Sequence, residues 1–150
     1  MSLAVDVSAT GVRVPLARAR VAELTRGVLR AERVRDALLS IAFVDTETIT
    51  RLNRRHLGRH RPTDVIAFAF EPAARGRRTP VIGDIYIAPD VARENARLHA
   101  RPVREELARL VVHGTLHVLG HDHPEDGART TSPMWRRQER LLARLHRSVG

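Results

Sequence analysis

From Val103 to Leu119 the chain carries Leu107, Leu110, Val111, Val112, Leu116, Val118 and Leu119, spaced so that apolar side chains cover most of a helix's circumference. A helix of that kind has to be covered by the rest of the chain, so it is expected to be a buried central element. Pro102 suits its first turn. Gly120 stands where it would stop, since glycine takes the left-handed conformation of a helix end without steric penalty. His113 and His117 are four residues apart on this helix, so both imidazoles leave one face a turn from each other. Once the chain reverses at Gly120, His123 is close enough to supply a third nitrogen. Three neutral imidazoles plus one water make a tetrahedral zinc site with an open, catalytic position.

Four of the eight histidines fall within the eleven residues from His113 to His123. A lone buried histidine is usually a hydrogen-bonded packing residue, but ligand spacing followed by a helix-ending glycine favours ligation for His113, His117 and His123. His121 does not match the spacing and reads as a surface residue or a support for the ligands. Asp122 can orient a ligand histidine through its other ring nitrogen, or simply cap the turn. Glu125 and Asp126 read as solvated turn residues. The spacing of His113, His117, Gly120 and His123 is that of metzincin proteases, whose general-base glutamate is replaced here by Gly114. The residue expected to activate water for peptide hydrolysis is therefore missing.

At 150 residues the chain is expected to be one domain, spanning residues 1–150. A chain this long does not need a metal to hold it together. With no cysteine, disulfides and thiolate ligands are excluded, and the composition suits a reducing cytoplasm. No apolar run approaches the roughly 18 residues of a membrane span, and no membrane partner is expected. The net charge is +9, from 26 basic and 17 acidic residues, which favours a polyanionic partner. All the basic side chains are arginine. With only Phe43, Phe68, Phe70, Tyr86 and Trp135 as aromatics, a base-stacking platform is not expected, and contacts to RNA would be mostly to phosphate.

Elsewhere, Leu3 to Val7 alternates as a first strand, and Leu16, Val21, Leu24, Val28 and Leu29 mark a helix between Pro15 and about Arg30. Ala37 to Val44 suits a central strand covered on both faces. Asp45 or Thr46 can cap the following helix, whose Ile49 and Leu52 face the core. A basic loop from Arg54 to Pro62 then leads to a strand from Val65 to Phe70. Glu71 to Pro80 reads as a loop, and Gly83 to Ile87 as its partner strand. Asp90 can cap a helix to about Leu98. Met134 to His146 reads as a final basic helix with Leu141, Leu142 and Leu145 inward.

These residues carry a resemblance. His113, Gly114, Leu116, His117, Gly120, Asp122 and His123 meet the H-G-x-L-H-x-x-G-x-D-H pattern of the YbeY family of zinc-dependent endoribonucleases, and the sequence resembles that family along nearly its whole length. Leu52, Asn53, Thr63, Asp64, Val65, Ile66 and Phe68 match a second segment of the family, and Gly83 to Ile87 a third. The resemblance implies an α/β fold, with a small mixed four-stranded sheet, helices on both sides and the zinc on a buried central helix. It implies one Zn2+ held by His113, His117 and His123, and single-strand-directed RNA cleavage in ribosomal RNA processing, at the 3′ end of 16S rRNA, and in ribosome quality control. The partners implied are rRNA and the small ribosomal subunit, with ribosomal proteins and assembly GTPases. The chain departs from the family where Leu57 replaces an arginine of the basic loop, whose substrate-binding role is then moved, lost, or taken by Arg59 or Arg61. Ala67, Ala69 and His121 are further departures. Two other readings stay open: an rRNA-binding assembly factor with a structural zinc, for which His121 is the candidate fourth ligand, and a metallopeptidase, disfavoured by Gly114.

Overall fold

The computed structural model describes residues 2–57, 63–70, 80–123 and 130–149, with residues 57 and 147–149 described by backbone only. In chain order the elements are β1 (Leu3–Ala9), α1 (Arg18–Ala31), β2 (Ala37–Phe43), α2 (Thr46–Leu57), β3 (Val65–Ala69), β4 (Val81–Ile87), α3 (Pro89–Leu98), α4 (Val103–Val118) and α5 (Pro133–Val149). The four strands form one mixed sheet in the order β1-β2-β4-β3. β1, β2 and β4 run parallel, and β3 joins the edge antiparallel to β4. Among the described residues, no helix is long and apolar enough to cross a membrane.

The apolar circumference of α4 has the expected consequence. It packs on β3 and β4 and is flanked by α1, α3 and α5. Leu107, Val111, Val112 and Leu116 are wholly buried against Leu39, Ile41, Ile85 and Ile87 of the sheet and the inner faces of α1 and α5. Each such side chain contributes about 1.5–3 kcal/mol relative to leaving it in water. The helix also touches the sheet closely, because Gly83 removes a side chain from β4 where Val118 arrives. A Cβ at Gly83 would lie 2.6 Å from Val118 Cγ1 and 2.8 Å from the Phe68 carbonyl oxygen. On the opposite face α2 covers a smaller core of Val44, Ile49, Ile66 and Ala88, with Leu52, Phe68 and Tyr86 around it.

Several local expectations are corrected. β2 is central, but only one of its faces is fully buried: on the other, Leu38 is 53% exposed. The basic loop begins later than Arg54, because α2 continues through Leu57 and so takes in Arg54, Arg55 and His56. Asp45 caps that helix, accepting a hydrogen bond from the Thr48 amide at 2.7 Å. Asp90 does not cap α3; Ala88 is the N-cap, Pro89 opens the first turn, and Asp90 pairs instead with Arg93. Pro102 is likewise the N-cap of α4, one residue ahead of its first turn. The expected loop from Glu71 to Pro80 lies outside the described residues except for Pro80.

Candidate metal centre

Near its inner end α4 presents His113 and His117 one turn apart, and the chain then reverses. Gly120 adopts φ +99°, its amide donates to the His117 carbonyl at 3.0 Å, and the His121 amide donates to the Leu116 carbonyl at 3.0 Å. This is the paired-bond helix ending that a left-handed residue permits. Among the described residues nothing lies within 4 Å of a Cβ built on Gly120, so it is the backbone conformation there that calls for glycine. The reversal brings His123 back to the helix. The ring centroids of His113, His117 and His123 stand 4.6, 5.0 and 5.0 Å apart. One ring nitrogen of each lies within 4.8 Å of the others, a group that could hold a metal ion.

The donor set fits such an ion. Imidazole suits zinc and its first-row neighbours, and three neutral rings add no charge of their own. His113 is 4% exposed, and its Nδ1 lies 2.6 Å from Oε1 of Gln138 on α5. The Gln138 amide is oriented by its own Nε2, which donates to Glu139 Oε2 at 3.0 Å. Its oxygen therefore faces His113, the ring's Nδ1 carries the proton, and Nε2 carries the lone pair that a metal would use. Glu139 is fixed in turn by Arg109, whose Nε and Nη2 donate to its two oxygens at 3.0 and 3.1 Å. A third bond runs from Arg109 Nη1 to Glu106 Oε1 at 2.9 Å. Burial raises the Glu139 pKa, but the bonds from Arg109 and Gln138 outweigh it and hold the carboxyl below its ordinary range.

Gln138 is a site residue that sequence reasoning misses. It is 1% exposed on a helix that otherwise reads as a basic amphipathic segment, and its helical spacing from Met134, Leu141 and Leu142, which sets it on the inward face, was the available signal. Asp122 takes part in the turn, where its Oδ1 accepts from the His123 amide at 2.8 Å. His121 faces another partner: its Nε2 lies 2.5 Å from Glu32 Oε1. Gly114 turns to Ile85 and Val65 of the sheet, away from the histidine group. Arg59, Arg61, Glu125 and Asp126 lie outside the described residues.

Comparison with known proteins identifies the family. The family model described as endoribonuclease YbeY matches residues 8–146. Proteins named endoribonuclease YbeY are 33% identical in Syntrophus aciditrophicus, covering 97% of this chain and 92% of that protein, and 37% identical in Bacillus licheniformis, covering 96% of each. The solution structure of a Thermotoga maritima protein shares the fold, with a TM-score of 0.61 at 24% identity over 96% of this chain and 90% of that one. The chain belongs to the endoribonuclease YbeY family.

Proposed function

We propose that the chain is a metal-dependent endoribonuclease that hydrolyses phosphodiester bonds of ribosomal RNA precursors in the cytoplasm, with residues 1–150 working as one domain. The observation that carries this reading is the convergence of His113, His117 and His123 on one point, with glycine in place of the carboxylate that a peptidase of this spacing needs. These three residues would hold one Zn2+. When bound, zinc supplies a Lewis acid that polarises a phosphoryl oxygen and lowers the pKa of water. The protein's own part is to hold the rings: Gln138 keeps the His113 proton on Nδ1, and the Gly120 reversal presents His123.

Arginines would hold the RNA backbone. Arg54 and Arg55 are exposed on the last turn of α2 and lead toward Arg59 and Arg61, which take the substrate-binding role left open by Leu57. Within the small ribosomal subunit the same positive charge would serve contacts with rRNA, beside ribosomal proteins and assembly GTPases. A binding protein with a closed, four-ligand zinc is less well supported, because the side chain of His121 is already engaged by Glu32.

Incubating protein of verified metal content and its His117→Ala variant with ribosomal RNA precursor, then sequencing the ends, tests the proposal. Discrete internal cleavage by the parent and its loss in the variant are expected. Undiminished cleavage by metal-free His117→Ala would overturn it.

A further inference from the structure

Two of the three histidines are pre-aligned by α4, but the third comes from the irregular segment after Gly120 and has to be held by something else. A second set of contacts reaches this segment from α1 and α5. Glu32 is the C-cap residue of α1, and the next residue, Arg33, closes that helix at φ 62° with the Val34 amide donating to the Leu29 carbonyl at 2.8 Å. One Glu32 oxygen lies 2.5 Å from His121 Nε2; the other accepts from Arg137 Nε at 3.0 Å and Nη2 at 2.8 Å. Arg137 also donates to the Ala31 carbonyl at 3.3 Å.

A carboxylate at a helix C-terminus faces the negative end of the helix dipole, so Glu32 stands where its charge is disfavoured. Burial disfavours the charge further, yet the bonds from Arg137 and His121 hold its pKa below the ordinary range. The result is a three-point joint between the end of α1, α5 and the reversal after α4. Arg137 and Gln138 are adjacent on α5, so consecutive residues of one helix serve two supports: Gln138 grips the ring of His113, and Arg137 secures Glu32 against His121.

We propose that Glu32 is a positioning residue for the metal centre: by clamping His121 between α1 and α5 it fixes the reversal from which His123 is presented. The inference rests on the reading of the three histidines as metal ligands. Its contribution is to reduce the number of conformations His123 samples, so that the third nitrogen is in place before a metal arrives.

Co2+ binding to the full chain, followed by chelator competition and by the visible absorption of the bound ion, tests it. His123→Ala serves as the measure of losing the third ligand. Glu32→Ala is expected to weaken Co2+ binding by about 10-fold to 100-fold, the range for losing a group that orients ligands. Its spectrum should shift toward that of His123→Ala. His121→Ala should weaken binding similarly, and the double variant should be no weaker than either single one, because both act through one contact. Glu32→Gln, which keeps the volume but not the charge that pairs with Arg137, should fall between parent and Glu32→Ala, and it carries the same test if Glu32→Ala does not fold. If His123→Ala weakens binding while both Glu32 variants bind as tightly as the parent, the clamp is overturned and the ligand reading stands. If His123→Ala binds as tightly as the parent, the ligand reading itself fails.

Discussion

A Cβ built on Gly114 would lie 2.7 Å from Cγ2 of Ile85. Ile85 is wholly buried in β4 and has no open space to move into, so the helix can sit this close to the sheet only without a side chain at position 114. The same position that separates this centre from the metzincin proteases thus has a packing reason to be glycine. Gly114→Ala gains about 1 kcal/mol of helix propensity but overpacks a filled core, which typically costs about 1–3 kcal/mol. A net loss on the order of 1 kcal/mol is expected, read as a lower urea midpoint at unchanged slope. Gly114→Glu, which restores the protease motif, should fail to fold stably instead of creating a peptidase.

Gln138→Leu removes the acceptor of the His113 Nδ1 proton and leaves that N–H buried without its partner. Metal affinity is expected to fall by about 10-fold to 100-fold. Gln138→Glu keeps an acceptor at the same place and should retain more affinity than the leucine variant. Competition with a chromophoric chelator ranks the three proteins, and equal affinities would remove Gln138 from the site.

Glu139 lies between Arg109 and Gln138, with Arg101 and Glu106 close by, and its pKa is held below the ordinary value. A group whose folded pKa is depressed adds stability that is fully present above its unfolded pKa, about 4.3 for glutamate, and is lost as the pH falls through the folded pKa. The parent should therefore lose stability as the pH drops below about 4.3. Glu139→Gln should be less stable at neutral pH and show a shallower acid limb, measured as urea midpoints across pH 2–7, roughly spanning the carboxylate range. An identical acid limb in both proteins would show that the Arg109 pair does not contribute.

Three helices, α1 at Arg33, α3 and α4, end with the same pair of hydrogen bonds but with different residues at the turn. α4 uses Gly120 at φ +99°; α3 uses Ala100 at φ +52°, with the Arg101 amide donating to the Ala96 carbonyl at 2.9 Å. A left-handed conformation costs an L-residue about 1–2 kcal/mol, partly offset because glycine loses more backbone entropy on folding. Ala100→Gly should therefore raise stability by about 0.5–1 kcal/mol, and Gly120→Ala should lower it by a similar amount. Gly120→Ala should also weaken metal binding, because the strain falls on the reversal that carries His123; Ala100→Gly should leave metal binding alone.

The amino-acid sequence by itself determined the features that depend on neighbours along the chain. The four-residue separation of His113 and His117, the reversal at Gly120 and the all-round apolar surface of α4 follow from helical periodicity and glycine's backbone freedom. The strands were legible in the same way, with boundaries displaced by a few residues. Helix ends were less so: Asp90 lies inside the first turn of α3 instead of capping it, and Pro102 stands in the extended N-cap of α4 instead of its first turn. What only the tertiary structure decided is the support around the centre. Gln138 meets His113 across 25 residues, and Glu32 meets His121 across 89. A single buried glutamine, or a glutamate at the end of a distant helix, has no spacing that announces its partner. These pairings exist because the sheet and α4 bring α1 and α5 to the same end of the core, where their buried polar groups must satisfy one another.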